Sequence, residues 1–290
     1  MAKEIVKRDH IWWSDDGVRL HAHVYEPTVP SSKTPVICLP GLTRNARDFS
    51  MLAPLLAQDR TVYAIDIRGR GDSGYAKDPM SYVPLTYVRD LVALIDGEDI
   101  DKFIGIGTSL GGLVLMLLAA MQPQRIAAVT LNDIGPEIEA SGLDRIGGYV
   151  GQTASHLTWV HAARSIADAN AQVYPDWGLE DWLVMAKRTH RLTPEGRIAP
   201  DYDSNIAQPF KQTPTGDGPD LWPAFTGLKS IPTLVVRGAL SDILASGSAQ
   251  KMVDALDDAR LVTIDQVGHA PTLDEPAAVA AITALIASIG

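Results

Sequence analysis

The chain has 290 residues, of which 46% are hydrophobic and 21% charged, and its formal net charge is −10. This is the composition of a globular protein with a sizeable core, and the acidic balance argues against a nucleic-acid groove, which needs a basic field. Cys38 is the single cysteine, which excludes an internal disulfide and a thiolate metal cluster, and the longest apolar run, residues 113–121, is too short to cross a bilayer.

In chain order, residues 5–13 and 18–25 read as two strands around the turn Ser14-Asp15-Asp16-Gly17. The second alternates, with Val18, Leu20, Ala22 and Val24 opposite Arg19, His21, His23 and Tyr25. His21 and His23 share a face, but no third ligand lies nearby in sequence. They read as the polar face of a sheet edge, and no metal is expected. From Pro35 the pattern changes. Strands at 35–39, 61–65, 102–106 and 126–131 alternate with helices at 49–57, 87–95 and 110–121. Such alternation predicts an α/β protein with a mostly parallel central sheet and helices on both faces. Cys38, inside the first of these strands, reads as core filling.

Residues 134–225 carry no convincing strand. They hold Trp159, Trp177, Trp182 and Trp222, with Tyr149, Tyr174, Tyr202, Phe210 and Phe225. Helices are expected at 155–169 and 179–189, and a loop at 193–218. So many large rings mark an inserted, mainly helical cap rather than a linker. The strand pattern resumes at 232–236 and 260–264, with helices at 246–256 and 277–289. The core domain is therefore expected at 1–133 and 226–290, with the cap at 134–225, above the end of the sheet where such folds bind ligands.

Gly107-Thr108-Ser109-Leu110-Gly111 has the form G-x-S-x-G between an apolar strand and an apolar helix, the signature of a nucleophile elbow. A phosphate-binding reading fails, because the motif does not follow the first strand of the alternating part and no Gly-Lys-Ser/Thr follows it. A serine hydroxyl needs a base, and the base an orienting acid. His269 lies just after the strand at 260–264, and Asp242 follows the strand at 232–236 through a Gly-x-x-x-Asp loop. The order Ser109, Asp242, His269 is the one expected for this elbow. Asp133, after the strand at 126–131, is the competing acid and is expected to be structural. The oxyanion donors are expected to be the backbone N–H groups of Leu110 and of Leu42, the latter in Leu39-Pro40-Gly41-Leu42-Thr43.

These motifs resemble the α/β-hydrolase fold superfamily, in its cap-bearing, carboxylesterase-like serine hydrolase branch. Asp66-Ile67-Arg68-Gly69-Arg70-Gly71-Asp72-Ser73-Gly74 is similar to the family's loop before the nucleophile strand. His269 with Asp274-Glu275-Pro276 resembles its histidine loop and final helix start. Many relatives have His-Gly where this chain has Pro40-Gly41. Serine rather than aspartate at the elbow excludes displacement of halide or opening of an epoxide through an alkyl ester. The resemblance implies hydrolysis of carboxylic esters, lactones or thioesters of small, largely apolar substrates, with no cofactor and no metal. Carbon–carbon hydrolysis of a dienol or β-diketone is the alternative, with Arg44, Asn45, Arg47 and Arg188 as possible suppliers of polar contacts; a cofactor-free haloperoxidase or perhydrolase also remains. A small-ligand receptor is the non-enzymatic reading. The expected partner is a small-molecule substrate, with no nucleic acid and no membrane. The charged start of the chain, with no apolar signal segment, points to a cytoplasmic monomer or small homo-oligomer.

Overall fold

A computed structural model describes residues 4–209 and 220–289. Phe210 and residues 211–218 of the expected loop lie outside the described residues.

Eight strands form one sheet: β1 (Ile5–Trp13), β2 (Arg19–Pro27), β3 (Val36–Leu39), β4 (Val62–Asp66), β5 (Phe103–Thr108), β6 (Ile126–Asn132), β9 (Thr233–Gly238) and β10 (Ala259–Ile264). Their order is β1-β2-β4-β3-β5-β6-β9-β10. The hairpin β1–β2 and the pair β2–β4 are antiparallel, and the remaining pairs are parallel. Strands β3, β4 and β9 are buried at every position. Strands buried along their whole length are covered on both faces.

On one face lie α2 (Pro84–Gly97) and α3 (Leu110–Met121); on the other, α1 (Leu52–Leu56) and the last helix, α9 (Pro276–Ile289). Pro84 opens α2, where its missing N–H costs nothing. The helix consequently starts earlier than its apolar periodicity predicts. Cys38 is fully buried, and burial pushes its thiol pKa up, so it is core filling.

Between β6 and β9 the chain builds α4 (Ala140–Tyr149), α5 (Trp159–Asn170), α6 (Leu179–Thr189) and a small antiparallel hairpin, β7 (His190–Leu192) with β8 (Ile198–Pro200). That hairpin was not expected. Its strands have three residues each, too few for a readable alternation. The rings divide into two groups. Tyr174 and Trp177 stack with centroids 3.9 Å apart, and Trp182 meets Trp177 at 4.8 Å. Trp222 and Phe225, in the short helix α7 (Trp222–Phe225), instead pack with the sheet layer beside α3. The polypeptide has thus returned to the sheet layer before residue 226. After β9, helix α8 (Ser246–Asp254) leads to β10.

Backbone packing is tight at the β5–α3 turn. A Cβ on Gly107 would lie 2.5 Å from the carbonyl carbon of Gly111 and 2.5 Å from the nitrogen of Gly112. Both obstacles are backbone and cannot rotate away. Gly107→Ala is expected to lower unfolding free energy by at least about 2 kcal/mol. Gly147→Ala, on α4 with nothing within 4 Å of its added Cβ, is expected to be neutral or slightly stabilising. Urea unfolding midpoints of the two variants check this; equal midpoints would contradict the packing argument.

Candidate active site

Ser109 stands between β5 and α3 with φ 50° and ψ −113°, a backbone conformation that L-residues rarely adopt. Its own N–H donates to the carbonyl of Asn132 at the end of β6 (2.9 Å). The turn lifts the side chain above the C-terminal edge of the sheet. The N-terminus of α3 lies directly behind it, where the unpaired first-turn N–H groups favour negative charge.

His269 follows β10. Its Nε2 lies 2.9 Å from Ser109 Oγ, and its Nδ1 lies 2.8 Å from Asp133 Oδ2. A carboxylate only accepts, so Nδ1 carries the proton and Nε2 is left to accept from the serine hydroxyl. Asp133 is fully buried at the end of β6. Its φ of 57° turns the side chain toward the histidine. The Gly238 N–H donates to its Oδ1 (2.9 Å), and the Ser241 hydroxyl donates to its Oδ2 (2.6 Å). A buried carboxylate needs such donors to stay charged.

The expected acid, Asp242, is not at this site. Its carboxylate is held by Arg145 of α4, through Nε at 2.6 Å and Nη2 at 2.8 Å. That hydrogen bond, more than burial, sets its pKa, which is below the usual carboxylate value. The reason is the strand order. Strand β6 lies between β5 and β9, so its end is beside Ser109, and the histidine loop from β10 reaches over β9 to meet it. The β9 loop, which in sequence looked like the carrier of the acid, supplies Gly238 and Ser241 as donors to Asp133. The readable signal was an aspartate at the end of the strand next to the nucleophile strand.

The loop after β3, which carries the expected oxyanion donor Leu42, runs beside Ser109. A Cβ on Gly41 would be 3.8 Å from the Cβ of Ser109, so the loop after β3 closes on the serine. The Leu42 carbonyl is fixed by Arg70 Nε at 2.8 Å, and among the described residues its N–H has no acceptor. The Leu110 N–H is the first of α3.

A cavity of about 250 Å³ opens over Ser109 and His269. Residues of the loop after β3 form one wall, and Ile146, Tyr149, Met185 and Tyr202 contribute to the other. Arg44 and Arg145 also line the cavity. Each guanidinium gives Nε and Nη2 to one carboxylate: Arg44 to Asp48 and Arg145 to Asp242. Nη1 of each has no partner among the described residues. His190, also in the wall, has its pKa lowered to about 4 by burial and stays neutral at physiological pH. Asn45, Arg47 and Arg188 serve structure instead. Asn45 Nδ2 and Arg47 Nε both donate to the Arg188 carbonyl, and Arg188 itself pairs with Asp274 at 2.6 Å.

His21 and His23 lie apart from this cavity and differ from expectation. Strand β1, not β2, is the edge, so His21 is only 2% exposed. The third polar group that sequence spacing did not bring near is Asp9, which pairs with His23 across β1–β2.

The profile of the Alpha/beta hydrolase family matches residues 36–282. The chain belongs to that family. A crystal structure of an alpha/beta hydrolase from Novosphingobium aromaticivorans superimposes with a TM-score of 0.92 at 52% identity, over 99% of each chain. The 3-hydroxybutyrate-oligomer hydrolase of Cupriavidus necator is 33% identical over 87% of both sequences. The 2-(acetamidomethylene)succinate hydrolase of Mesorhizobium japonicum is 26% identical over 79% of both. The family and these relatives support a hydrolase, and among the described residues no helix is long and apolar enough to cross a membrane.

The hydrogen bond between His269 and Asp133 has a direct observable. The proton on Nδ1 should give a downfield-shifted NMR signal. That signal should be lost in Asp133→Asn and persist in Asp242→Asn; the opposite pattern would return the acid role to Asp242.

Proposed function

We propose that this alpha/beta hydrolase cleaves small carboxylic esters through an acyl-enzyme at Ser109. The continuous hydrogen-bonded line Ser109–His269–Asp133 beneath the cavity supports this reading most strongly. His269 Nε2 takes the hydroxyl proton as Oγ bonds to the substrate carbonyl carbon. The buried Asp133 holds the ring in the needed tautomer and stabilises its positive form. The N–H groups of Leu42 and Leu110 receive the oxyanion, as fixed donors that need no reorganisation. His269 then gives its proton to the leaving alkoxide. Water, deprotonated by the same ring, attacks the acyl group, and the returning proton restores Ser109. The loop geometry requires only the Leu42 backbone, so Pro40 in place of histidine leaves this step intact.

We further read the substrate as an ester that bears a free carboxylate. Arg44 and Arg145 in the cavity wall support this, each with one guanidinium edge left over. The relative from Cupriavidus necator is named for an oligomer whose units are hydroxy acids, which agrees with it. A charge-assisted hydrogen bond contributes about 1.5–3 kcal/mol, or roughly tenfold to a hundredfold in kcat/KM.

Two measurements test the proposal. A serine-directed organophosphonate should add once to the protein by intact mass and not at all to Ser109→Ala. Asp133→Asn should lower kcat on a 4-nitrophenyl ester by about 10⁴, the loss found for the equivalent change in a serine protease, and Asp242→Asn by far less. Negligible ester turnover beside strong cleavage of a dienol substrate would overturn ester hydrolysis. Separately, the 3-hydroxybutyrate dimer should outperform its methyl ester in kcat/KM, with the advantage reduced in Arg44→Gln. Equal rates would reject the carboxylate reading alone.

A further inference from the structure

On the sheet face shared by β1, β2 and β4, away from the cavity, the strand register brings four chemically related side chains together. Asp9 pairs with His23, and His21 pairs with Asp66. Asp9 and His23 meet on one side, and His21 lies between Asp9 and Asp66. His21 Nε2 lies 3.2 Å from Asp9 Oδ1, and His23 Nδ1 lies 3.0 Å from the same oxygen. The two rings are edge-on with centroids 4.8 Å apart. One ligand atom from each of Asp9, His21 and His23 falls within 4.8 Å of the others.

Two of these spacings are near those of a metal polyhedron, and the third lies within 4.8 Å. In a tetrahedral zinc site with bonds of about 2.0–2.2 Å, neighbouring donor atoms lie roughly 3.3–3.5 Å apart. The Asp9 oxygen already sits at nearly that distance from both histidine nitrogens. A shift of its exposed side chain would open room for an ion among the three. The buried nitrogen of His21 is equally well prepared. Its Nδ1 lies 2.7 Å from Asp66 Oδ2, and Asp66 is fixed in turn by the N–H groups of Ala46 (2.7 Å) and Asp72 (3.1 Å). A carboxylate on the far nitrogen of a ligating histidine fixes the tautomer and raises the basicity of the near one.

We propose that Asp9, His21 and His23 form a binding site for one divalent transition ion of the zinc type. His21 presents Nε2 while Nδ1–H stays on Asp66. His23 presents Nδ1 with its proton on Nε2. Asp9 supplies one oxygen, and water completes four-coordination. Two imidazoles and a carboxylate suit zinc, cobalt(II) or nickel(II) rather than magnesium or calcium, which want oxygen alone. Lys7, on the same face of β1, adds a positive charge nearby; Asp66 and Asp72 oppose it. An ion here would tie the edge strand β1 to the interior of the sheet without touching the catalytic cavity.

The test is titration of the chelator-treated full chain with Zn²⁺, followed calorimetrically, and with Co²⁺, followed by its visible ligand-field absorption. One equivalent should bind. Asp9→Ala and His23→Gln should each weaken binding at least about tenfold and reduce the Co²⁺ signal. Both variants should keep 4-nitrophenyl ester hydrolysis, which shows that they fold. Absence of stoichiometric binding would overturn the site. So would binding retained in full by both variants, which would place the ion elsewhere, for example at the His156–His190 pair, whose ring centroids are 6.0 Å apart.

Discussion

Three backbone segments converge where β5 turns into α3. Gly107 of the strand lies against the first turn of the helix, and Gly111 of that turn lies against the carbonyl of Leu39 at the end of β3. No side chain fits at either contact. This crowding holds Ser109 in its uncommon conformation, because the residues on both sides of it have nowhere else to go. It also sets the distance between the serine and the loop after β3. Elbow, helix terminus and oxyanion loop are therefore consequences of one packing constraint, the mutual approach of three pieces of main chain.

A second constraint is electrostatic. Asp133 has no exposure to solvent, and its charge is carried by Gly238, Ser241 and His269. Strand β9 and its loop thus hold the acid without providing it. A further layer fixes the loop that carries the base: Asn132 Nδ2 donates to the Pro271 carbonyl at 2.8 Å. Adjacent residues Asn132 and Asp133, at the end of one strand, position His269 and Pro271 of the histidine loop.

Much of this was legible in the sequence, for identifiable reasons. Apolar runs punctuated at regular intervals named the sheet, and Gly107-Thr108-Ser109-Leu110-Gly111 named the elbow, because both signals are local. His269 was readable because only one histidine follows the last strand. The acid was not. Asp133 and Asp242 both follow strands, and choosing between them needs the spatial order β5-β6-β9-β10, which chain order does not contain. Arg44 and Arg145 were obscure for a related reason: whether an arginine is a surface charge or a cavity wall depends on where the segment between β6 and β9 settles. The same limit hid Asp9 from His21 and His23. Cross-strand register, unlike spacing along a strand, depends on a turn whose length must be known to the residue.

The segment above the cavity is fastened on the side of the histidine. Gly268 N–H donates to the Val173 carbonyl at 2.7 Å, Tyr174 hydroxyl donates to the Ala270 carbonyl at 2.6 Å, and Arg188 holds Asp274. The residues immediately before and after His269 are thereby bonded to the roof rather than to the floor. The histidine loop thus joins this segment to the end of β6, because His269 and Pro271 are bonded to Asp133 and Asn132. Displacing residues 173–174 would therefore strain the loop that carries the imidazole, whereas the wall at α4 is held to the β9 loop by the partly exposed ion pair of Arg145 and Asp242.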